Sequence, residues 1–260
     1  MTAEPTAGAP VLETRDLTIR FGGHVAVDTV SCRFAPGSLT AIVGPNGAGK
    51  TTFFNLVSGQ LRATSGQVLL FGRDVTRLGA PARTQRGIGR AFQLTNLFPN
   101  LSVLENVRLA VQAAARVGLE LLTPWPRRRD LIDKAAAILE RVALGARADA
   151  LAATLPHGDQ RKLEVAILIA LEPAIFMFDE PTAGMSVDEV PVILDLIAEL
   201  KRAADKTILL VEHKMDVVRS LADRLVVLHN GALVAEGAPA EVIALPIVQE
   251  AYLGVSAGHG

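Results

Sequence analysis

The chain has 260 residues, and its 26 basic and 27 acidic residues give a formal net charge of −1. This balance excludes an overall field that would draw the protein to nucleic acid or to an anionic membrane. The length suffices for one α/β domain with an inserted lobe. The longest apolar runs stop at Glu172 and Pro173 and are too short to cross a bilayer. The lone cysteine, Cys32, cannot form an internal disulfide, so we expect it to be buried in a protein of a reducing compartment.

The beginning of the chain predicts a tail followed by a hairpin. Residues 1–10 are rich in Ala, Pro, Thr and Gly and differ from a secretion signal, so we expect a disordered tail ahead of a single domain over 11–254. Residues 11–34 alternate between apolar and polar in two runs, and Phe21-Gly22-Gly23 separates them. This pattern predicts two antiparallel strands.

The next stretch carries the pattern G-x-x-x-x-G-K-[ST] of a phosphate-binding loop. It follows the apolar run from Leu39 to Val43, which predicts a strand, and it precedes apolar residues that suit a helix ending at Gly59. Glycines let a backbone approach an anion closely, and the N-terminus of a helix attracts one. The predicted phosphate-binding residues are Gly44, Pro45, Asn46, Gly47, Ala48, Gly49, Lys50, Thr51 and Thr52. We expect Lys50 to bind the β- and γ-phosphates of a nucleotide and Thr51 to contact Mg²⁺.

The middle of the chain predicts a change from strand to helix. Gln67 to Phe71 has the character of a short strand, and the arginine-rich residues 73–90 are predicted to form a loop whose charges face solvent. Ser102 and Glu105 form a capping box that opens a helix, and Ala, Leu and Arg dominate from there to about residue 171. The predicted divisions are a nucleotide-binding core at 11–92 and 172–240, a helical lobe at about 93–171 and a C-terminal helical tail at 241–254.

Two later strands end in residues that can carry chemistry. The apolar run that begins at Ala174 leads into Asp179 and Glu180, and the run from Thr207 to Val211 leads to His213. Continuous apolar strands separated by a helix predict a parallel sheet, whose carboxyl ends lie at one edge together with the phosphate loop. A last pair of strands, joined across Asn230-Gly231, predicts a hairpin.

These residue types suit phosphoryl transfer from a nucleotide. Two acids at the end of a buried strand are costly unless something compensates their charge, and a bound metal ion does so. We expect Asp179 to hold the Mg²⁺ shell, Glu180 to polarise the attacking water, and His213 to donate a hydrogen bond to the γ-phosphate or to that water.

From Val11 to about Leu253 the chain resembles the ATP-binding subunits of ABC transporters. Gly44 to Thr52 is similar to their Walker A motif, Ile175 to Glu180 is similar to Walker B, and His213 is similar to their switch histidine. The resemblance implies a P-loop NTPase of the ABC ATPase type, an α/β fold with a mostly parallel sheet, an N-terminal antiparallel β subdomain and an inserted helical subdomain.

The same resemblance assigns roles to two further residues. Gln93 matches the Q-loop glutamine that contacts Mg²⁺ or water and faces a membrane subunit. Phe21 matches the aromatic residue that stacks on adenine, although its position also suits simple packing within a strand.

A signature motif that contacts the ATP of an opposing subunit is implied as well. Its positions are taken by Leu155, Pro156, His157, Gly158, Asp159 and Gln160. Pro156 stands where the family has a serine and Asp159 where it has a glutamine, and proline supplies neither a hydroxyl nor an N–H. The contact in trans is therefore in doubt. Ala183 to Ser186 takes the position of the D-loop.

Within the family, the branched-chain amino acid importers are the most similar type. Phe21-Gly22-Gly23, Glu212 to Met215 and Ala251 to Gly254 carry this likeness. It implies an ATP- and Mg²⁺-dependent ATPase at the cytoplasmic face of the inner membrane, which energises uptake of a branched-chain or related amino acid.

The implied partners are a second ATPase subunit, transmembrane permease subunits and, indirectly, a substrate-binding protein, without nucleic acid. A homodimer and a heterodimer both remain open. Two other functions remain as alternatives: an ABC-type ATPase module outside transport, and a P-loop kinase. The first would bring long coiled-coil arms or a second ATPase domain, and the sequence has neither sustained heptads nor an internal repeat.

Overall fold

The computed structural model describes residues 9–91, 97–115, 129–203 and 205–253. Most of the predicted N-terminal tail lies outside these ranges. The strands are β1 (Leu12–Phe21), β2 (His24–Phe34), β3 (Leu39–Val43), β4 (Ser65–Leu70), β5 (Arg73–Asp74), β6 (Ile88–Ala91), β7 (Ile175–Asp179), β8 (Thr207–Val211), β9 (Arg224–His229) and β10 (Ala232–Gly237). The α-helices are α1 (Lys50–Ser58), α2 (Ala80–Thr84), α3 (Val103–Ala114), α4 (Arg129–Arg141), α5 (His157–Ala170), α6 (Val190–Arg202), α7 (Met215–Leu221), α8 (Pro239–Ile243) and α9 (Pro246–Leu253).

The described chain divides into two compact units. The first holds the residues up to Ile88, Ala174–Glu180 and those from Lys201 onward, and the second holds Gly89–Pro173 and Pro181–Leu200. Among the described residues, no helix has both the length and the apolar character needed to span a membrane.

The described strands form two sheets, and all of these strands except most of β6 belong to the first unit. One has the order β2-β1-β4-β5 and is antiparallel, as the alternation in residues 11–34 predicts. The other has the order β10-β9-β3-β8-β7-β6, in which β3 is parallel to both of its neighbours and β7 is parallel to β8. The predicted α/β fold with a mostly parallel sheet is confirmed. The carboxyl ends of β3, β7 and β8 consequently lie at one edge of the sheet.

Apolar side chains explain why these strands lie inside. Every residue of β3, β7 and β8 is buried, which accounts for their continuous apolar sequences. Phe53 and Phe54 of α1 belong to the same hydrophobic core as residues of β7 and β8. Cys32 is also buried in this core, and burial raises the pKa of its thiol to about 12, so the predicted burial of this residue is confirmed.

The prediction of a loop over residues 73–90 is wrong, since this stretch contains β5, α2 and most of β6. The prediction that its arginines face solvent is confirmed for Arg73, Arg77 and Arg86, which are exposed, and is wrong for Arg83. Arg83 is only 1% exposed and donates hydrogen bonds to four backbone oxygens, those of Leu56, Val57, Thr76 and Leu78, at 2.7 to 2.9 Å. Two of these carbonyls belong to the last turn of α1, where a cation complements the negative end of the helix dipole. Burial nevertheless lowers the pKa of the Arg83 guanidinium to about 10.

The second unit contains α3, α4, α5 and most of α6. α3 begins as the capping pattern predicts, because the Ser102 hydroxyl accepts a hydrogen bond of 3.1 Å from the backbone N–H of Glu105. α6 begins at Val190, which places Pro191 in the first turn, where a missing N–H costs little. The predicted last hairpin is β9 and β10, joined by a two-residue turn in which Asn230 and Gly231 both have positive φ.

Candidate nucleotide-binding and catalytic site

The phosphate-loop stretch joins the buried strand β3 to the helix α1. Gly44, Gly47 and Gly49 all have φ between +81° and +155°, a range that favours glycine. α1 begins at Lys50 with Gly49 as its N-cap, and no side chain caps this end. The first turn also lacks an acidic residue. Its N–H groups and the positive end of its dipole are therefore free of any competing carboxylate of that turn.

Two of these glycines are required by the close approach of other backbone segments. A Cβ atom on Gly44 would lie 2.1 Å from the carbonyl oxygen of Leu228, and one on Gly49 would lie 2.4 Å from that of Ala26. Gly231, in the turn between β9 and β10, donates its N–H to the carbonyl of Ala48 at 3.1 Å. The loop is thus held in place by backbone contacts on several sides.

The side chain of Lys50 folds back onto the start of the phosphate loop. Its Nζ donates hydrogen bonds to the carbonyl oxygens of Gly44 at 2.7 Å and of Pro45 at 3.0 Å. Burial lowers the pKa of the ammonium group, and the nearby carboxylates of Glu180 and Asp179 act in the opposite direction. The Lys50 ammonium group therefore lies near the two acids at the end of β7.

Asp179, Glu180 and His213 come together as the parallel sheet predicts. Asp179 is the last residue of β7, is buried, and is in register with Val211 of β8. Glu180 has a φ of 52°, and its N–H donates to the carbonyl of Val211 at 3.0 Å. Its Oε1 lies 2.7 Å from Nε2 of His213, and both side chains are about 40% exposed. The imidazole that follows β8 is therefore in direct contact with the carboxylate that follows β7.

The other residues predicted to bind ATP or Mg²⁺ have varied placements. Thr51 is exposed in the first turn of α1, and Thr52 is half-buried beside it. Phe21 ends β1 with half of its surface exposed, so this ring is not committed to the core. Gln93 lies outside the described residues. The roles given to these residues remain predictions.

The signature stretch belongs to the second unit and opens α5. Pro156 is the N-cap of this helix, with φ −56° and ψ 157°, and contributes no side-chain cap. Leu155 is buried, and its carbonyl accepts a hydrogen bond of 2.9 Å from the side chain of Gln160. A Cβ atom on Gly158 would lie 2.3 Å from a carboxylate oxygen of Glu189, so only glycine lets that carboxylate approach the first turn.

Asp159 is engaged by neighbours in its own unit. Its carboxylate accepts from Nζ of Lys162 at 2.9 Å and from Nε of Arg147 at 3.0 Å. Lys162 also lies 3.5 Å from the Glu189 carboxylate. The Asp159 side chain is therefore committed within the helical unit, and its predicted contact with ATP of another subunit stays a prediction.

The structure adds Glu189 and Lys162 to the residues around the signature stretch. Glu189 accepts hydrogen bonds from the N–H of Ser186 at 3.1 Å and from its hydroxyl at 2.9 Å, and these bonds lower the pKa of the carboxyl. The spacing Ser186-x-x-Glu189 is that of a capping box and could have been found in the sequence. The link from Glu189 to Lys162 has no such local signal, because the two residues come from separate segments of the chain.

The sequence is similar to ATP-binding proteins of ABC transporters over nearly the whole chain. The family model described as ABC transporter matches residues 27–183. The high-affinity branched-chain amino acid transport ATP-binding protein LivG of Escherichia coli K12 is 39% identical over 250 residues, which cover 94% of this chain and 98% of LivG. The corresponding protein BraF of Pseudomonas aeruginosa is 38% identical over 251 residues, with the same coverage of each chain.

Solved structures with the same fold include nucleotide-bound states. The ADP conformation of MJ1267, an ATP-binding cassette of an ABC transporter, superposes with a TM-score of 0.79 at 31% identity and covers 94% of this chain and 99% of its own. The dimeric post-hydrolysis state of the cassette MJ0796, bound to ADP and Pi, has a TM-score of 0.76 at 25% identity, with coverage of 88% and 98%.

Proposed function

This chain belongs to the ABC transporter family of ATP-binding proteins, and on that premise we propose that it hydrolyses ATP to energise uptake of a branched-chain or related amino acid. The contact that carries the chemical part of this proposal is the 2.7 Å hydrogen bond between Glu180 and His213. The substrate class is supported by the names and the near-complete alignment of LivG and BraF.

The chain's own groups divide the work at the phosphates. The loop from Gly44 to Thr52 supplies backbone N–H groups and the N-terminus of α1 to the phosphate chain. Lys50, already held by two loop carbonyls, places a positive charge where the β- and γ-phosphates are bound. Phe21 offers an exposed ring on which adenine can stack.

Glu180 and His213 act on the attacking water. The Glu180 carboxylate orients the water and accepts its proton, and such a group contributes about 10²- to 10⁴-fold to a rate. His213 orients the carboxylate through Nε2. A neutral imidazole has one N–H, so at any one stage of the reaction it donates either to this carboxylate or to the transferred phosphoryl group.

Asp179 and Thr51 suit Mg²⁺ because they offer a carboxylate and a hydroxyl oxygen. These two side chains would hold the ion, and phosphate oxygens and water would supply its other ligands. An ion held there would neutralise charge that develops on the phosphates. Gln93 is proposed as a further contact, following the family pattern.

The working unit is proposed to be a pair of ATPase subunits joined to transmembrane permease subunits at the cytoplasmic face of the membrane. A dimeric cassette is described for the related MJ0796. In such a pair the signature turn, residues 155–160, closes on ATP held by the phosphate loop of the other subunit. The permease subunits receive the amino acid from a separate binding protein, which this chain meets only indirectly.

Hydrolysis and transport are tested together by Glu180→Gln. The amide keeps the shape of the side chain and removes the base, so we expect ATP binding to persist and hydrolysis to fall by about 10²- to 10⁴-fold. Size-exclusion chromatography with MgATP should then show dimers, of this chain alone or with a second ATPase subunit.

The transport part of the proposal is tested with vesicles. Membrane proteins that copurify with the chain, reconstituted with it, should take up leucine, isoleucine or valine with ATP, and the Glu180→Gln protein should not support this uptake. Normal hydrolysis by Glu180→Gln would contradict the assignment of the base. Hydrolysis that drives no uptake with any of the copurified membrane proteins would favour an ATPase module outside transport.

A further inference from the structure

We propose that Glu212 is a positioning residue for hydrolysis, whose carboxylate fixes the turn that presents His213 to Glu180. The inference rests on the proposed function, because it assigns Glu212 a place in the same reaction. It concerns a residue that touches neither nucleotide nor water in this role and acts only through His213.

The carboxylate of Glu212 is turned back onto the backbone that follows it. Its Oε2 accepts hydrogen bonds from the N–H of His213 at 2.8 Å and from the N–H of Lys214 at 3.2 Å. Glu212 is only 3% exposed, a burial that glutamate tolerates only when its oxygens are bonded. Bonds from N–H groups to a carboxylate are roughly twice as strong as neutral ones. Glu212 therefore defines the conformation of the turn over residues 212–214.

The same turn leads into α7, which has no side-chain cap of its own. Lys214 is the N-cap of α7, and its side chain makes no capping hydrogen bond. A carboxylate beside the N-terminus of a helix complements the positive end of the dipole. Glu212 thus joins the end of β8 to the start of α7.

The position of the His213 ring depends on the backbone of this turn. The imidazole is 37% exposed, and its Nε2 lies 2.7 Å from Oε1 of Glu180. The backbone of Glu180 is held by a different contact, a hydrogen bond from its N–H to the carbonyl of Val211. A shift of the turn by about 1 Å would stretch the bond of 2.7 Å beyond useful hydrogen-bond length. Displacements of this size at a reacting centre cost up to about 10²-fold in rate.

The first experiment compares Glu212→Ala with Glu212→Gln and Asp216→Ala. Glu212→Ala should lower kcat by about 10- to 100-fold and leave KM for MgATP unchanged. Glu212→Gln keeps an oxygen that can accept both N–H groups and should retain most of the activity. Asp216 is an exposed acid in the first turn of α7, so its removal changes the charge at that helix end without touching the His213 N–H, and activity should be normal.

A double-mutant cycle separates positioning from stability. If Glu212 acts through His213, then Glu212→Ala should have no further effect on kcat in a His213→Ala background. Multiplicative losses in the double mutant, or an equal loss of kcat in Asp216→Ala, would overturn the inference. A loss of kcat in Glu212→Gln as large as that in Glu212→Ala would overturn it as well.

A measurement without hydrolysis separates this inference from the proposed function. In nucleotide-free protein the NMR signals of the His213 ring, assigned with His213→Ala, should respond to Glu180→Gln, and Glu212→Ala should abolish that response. A response that persists in Glu212→Ala would overturn the role of Glu212. A wild-type protein that binds but does not hydrolyse MgATP with its partners would instead contradict the proposed function.

Discussion

Two helices of this chain begin at motifs predicted to meet a nucleotide, and their first turns are built in opposite ways. α1 follows Gly49, carries Lys50 at its start and has no acidic residue in its first turn. α5 follows Pro156, carries Asp159 in its first turn and has the Glu189 carboxylate lying against Gly158. The first helix end is basic and the second is already occupied by acids of the same chain.

This difference shows what each end can offer to a phosphate. The positive end of a helix dipole attracts an anion. At α1 this anion can come from a bound ligand, whereas at α5 the carboxylates of Asp159 and Glu189 already place negative charge beside the helix start. A phosphate approaching α5 would therefore meet neutral donors rather than added positive charge. We therefore expect α1 to provide most of the binding energy for the phosphates.

The largest expected effect is a loss of affinity for MgATP, which should follow removal of Lys50 at the start of α1 but not removal of Lys162 near the start of α5. Lys50→Met keeps the apolar stem and removes the ammonium group, which is expected to make charge-assisted hydrogen bonds to two phosphates. Each is worth about 1.5 to 3 kcal/mol, so affinity for MgATP should fall by about 10²-fold or more. Lys162→Met removes an ammonium group from the first turns of α5, where it serves Asp159 and Glu189, and should leave affinity unchanged.

Titration with a fluorescent ATP analogue measures both variants, and thermal unfolding checks that each is folded. Equal losses of affinity would mean that the two helix ends share the binding of one chain's nucleotide and that the contrast between them is wrong.

A smaller effect is expected from the ion pairs that engage the α5 turn. Asp159→Asn removes the charge that pairs with the buried Lys162 and the half-exposed Arg147, and should reduce the free energy of unfolding by about 1.5 to 3 kcal/mol. Glu172→Gln breaks an ion pair with Lys134 in which both side chains are about half exposed, and should cost less than about 1 kcal/mol. Urea unfolding gives both values, and an equal cost would show that the Asp159 pairs are ordinary surface contacts.

The sequence predicted where Lys50, Asp179, Glu180 and His213 lie because its signals are local, and the catalytic roles of these residues stay predictions. A strand, a glycine-rich loop and a helix follow one another around Lys50, and the parallel-sheet rule then brings Asp179, Glu180 and His213 to the same edge. Each step uses residues that are adjacent in the chain or a general rule of topology. That rule places Glu180 and His213 near one another, and the structure adds the hydrogen bond between them, which the sequence did not predict.

The buried charges could not be predicted in the same way. Arg83 belongs to a run of arginines that suggests a solvated surface, yet its guanidinium is bound by carbonyls at the end of α1, more than 25 residues earlier in the chain. Asp159 matches a motif position that suggests a ligand contact, yet Arg147 and Lys162 engage it. Periodicity and motif spacing do not show which charges find partners inside a fold.

The smallest expected effect concerns Pro156, the N-cap of α5. A serine at this position can accept a hydrogen bond from an N–H of the first turn, which is worth about 0.5 to 2 kcal/mol relative to alanine. Replacing proline frees the unfolded chain and costs about 0.4 to 1 kcal/mol. Pro156→Ser should therefore leave the melting temperature unchanged or raise it slightly. Pro156→Ala has the same entropic cost but no capping hydrogen bond, so it should lower the melting temperature. Calorimetry without nucleotide checks this order, and a serine variant no more stable than the alanine variant would contradict it.

The same pair of variants tests whether the α5 turn faces a phosphate of another subunit. A serine hydroxyl has one donor and two acceptor sites, so it can cap the helix and still donate to an oxygen of bound ATP. In the Glu180→Gln background, where ATP should be retained, Pro156→Ser should therefore give a larger fraction of ATP-dependent dimer than Pro156→Ala. Only the serine adds a side-chain hydroxyl that can donate to ATP. Sedimentation velocity with and without MgATP measures the dimer fraction. If the two variants dimerise equally while their melting temperatures differ, the hydroxyl serves only its own helix, and any contact in trans comes from the backbone N–H groups beside His157 and Gly158.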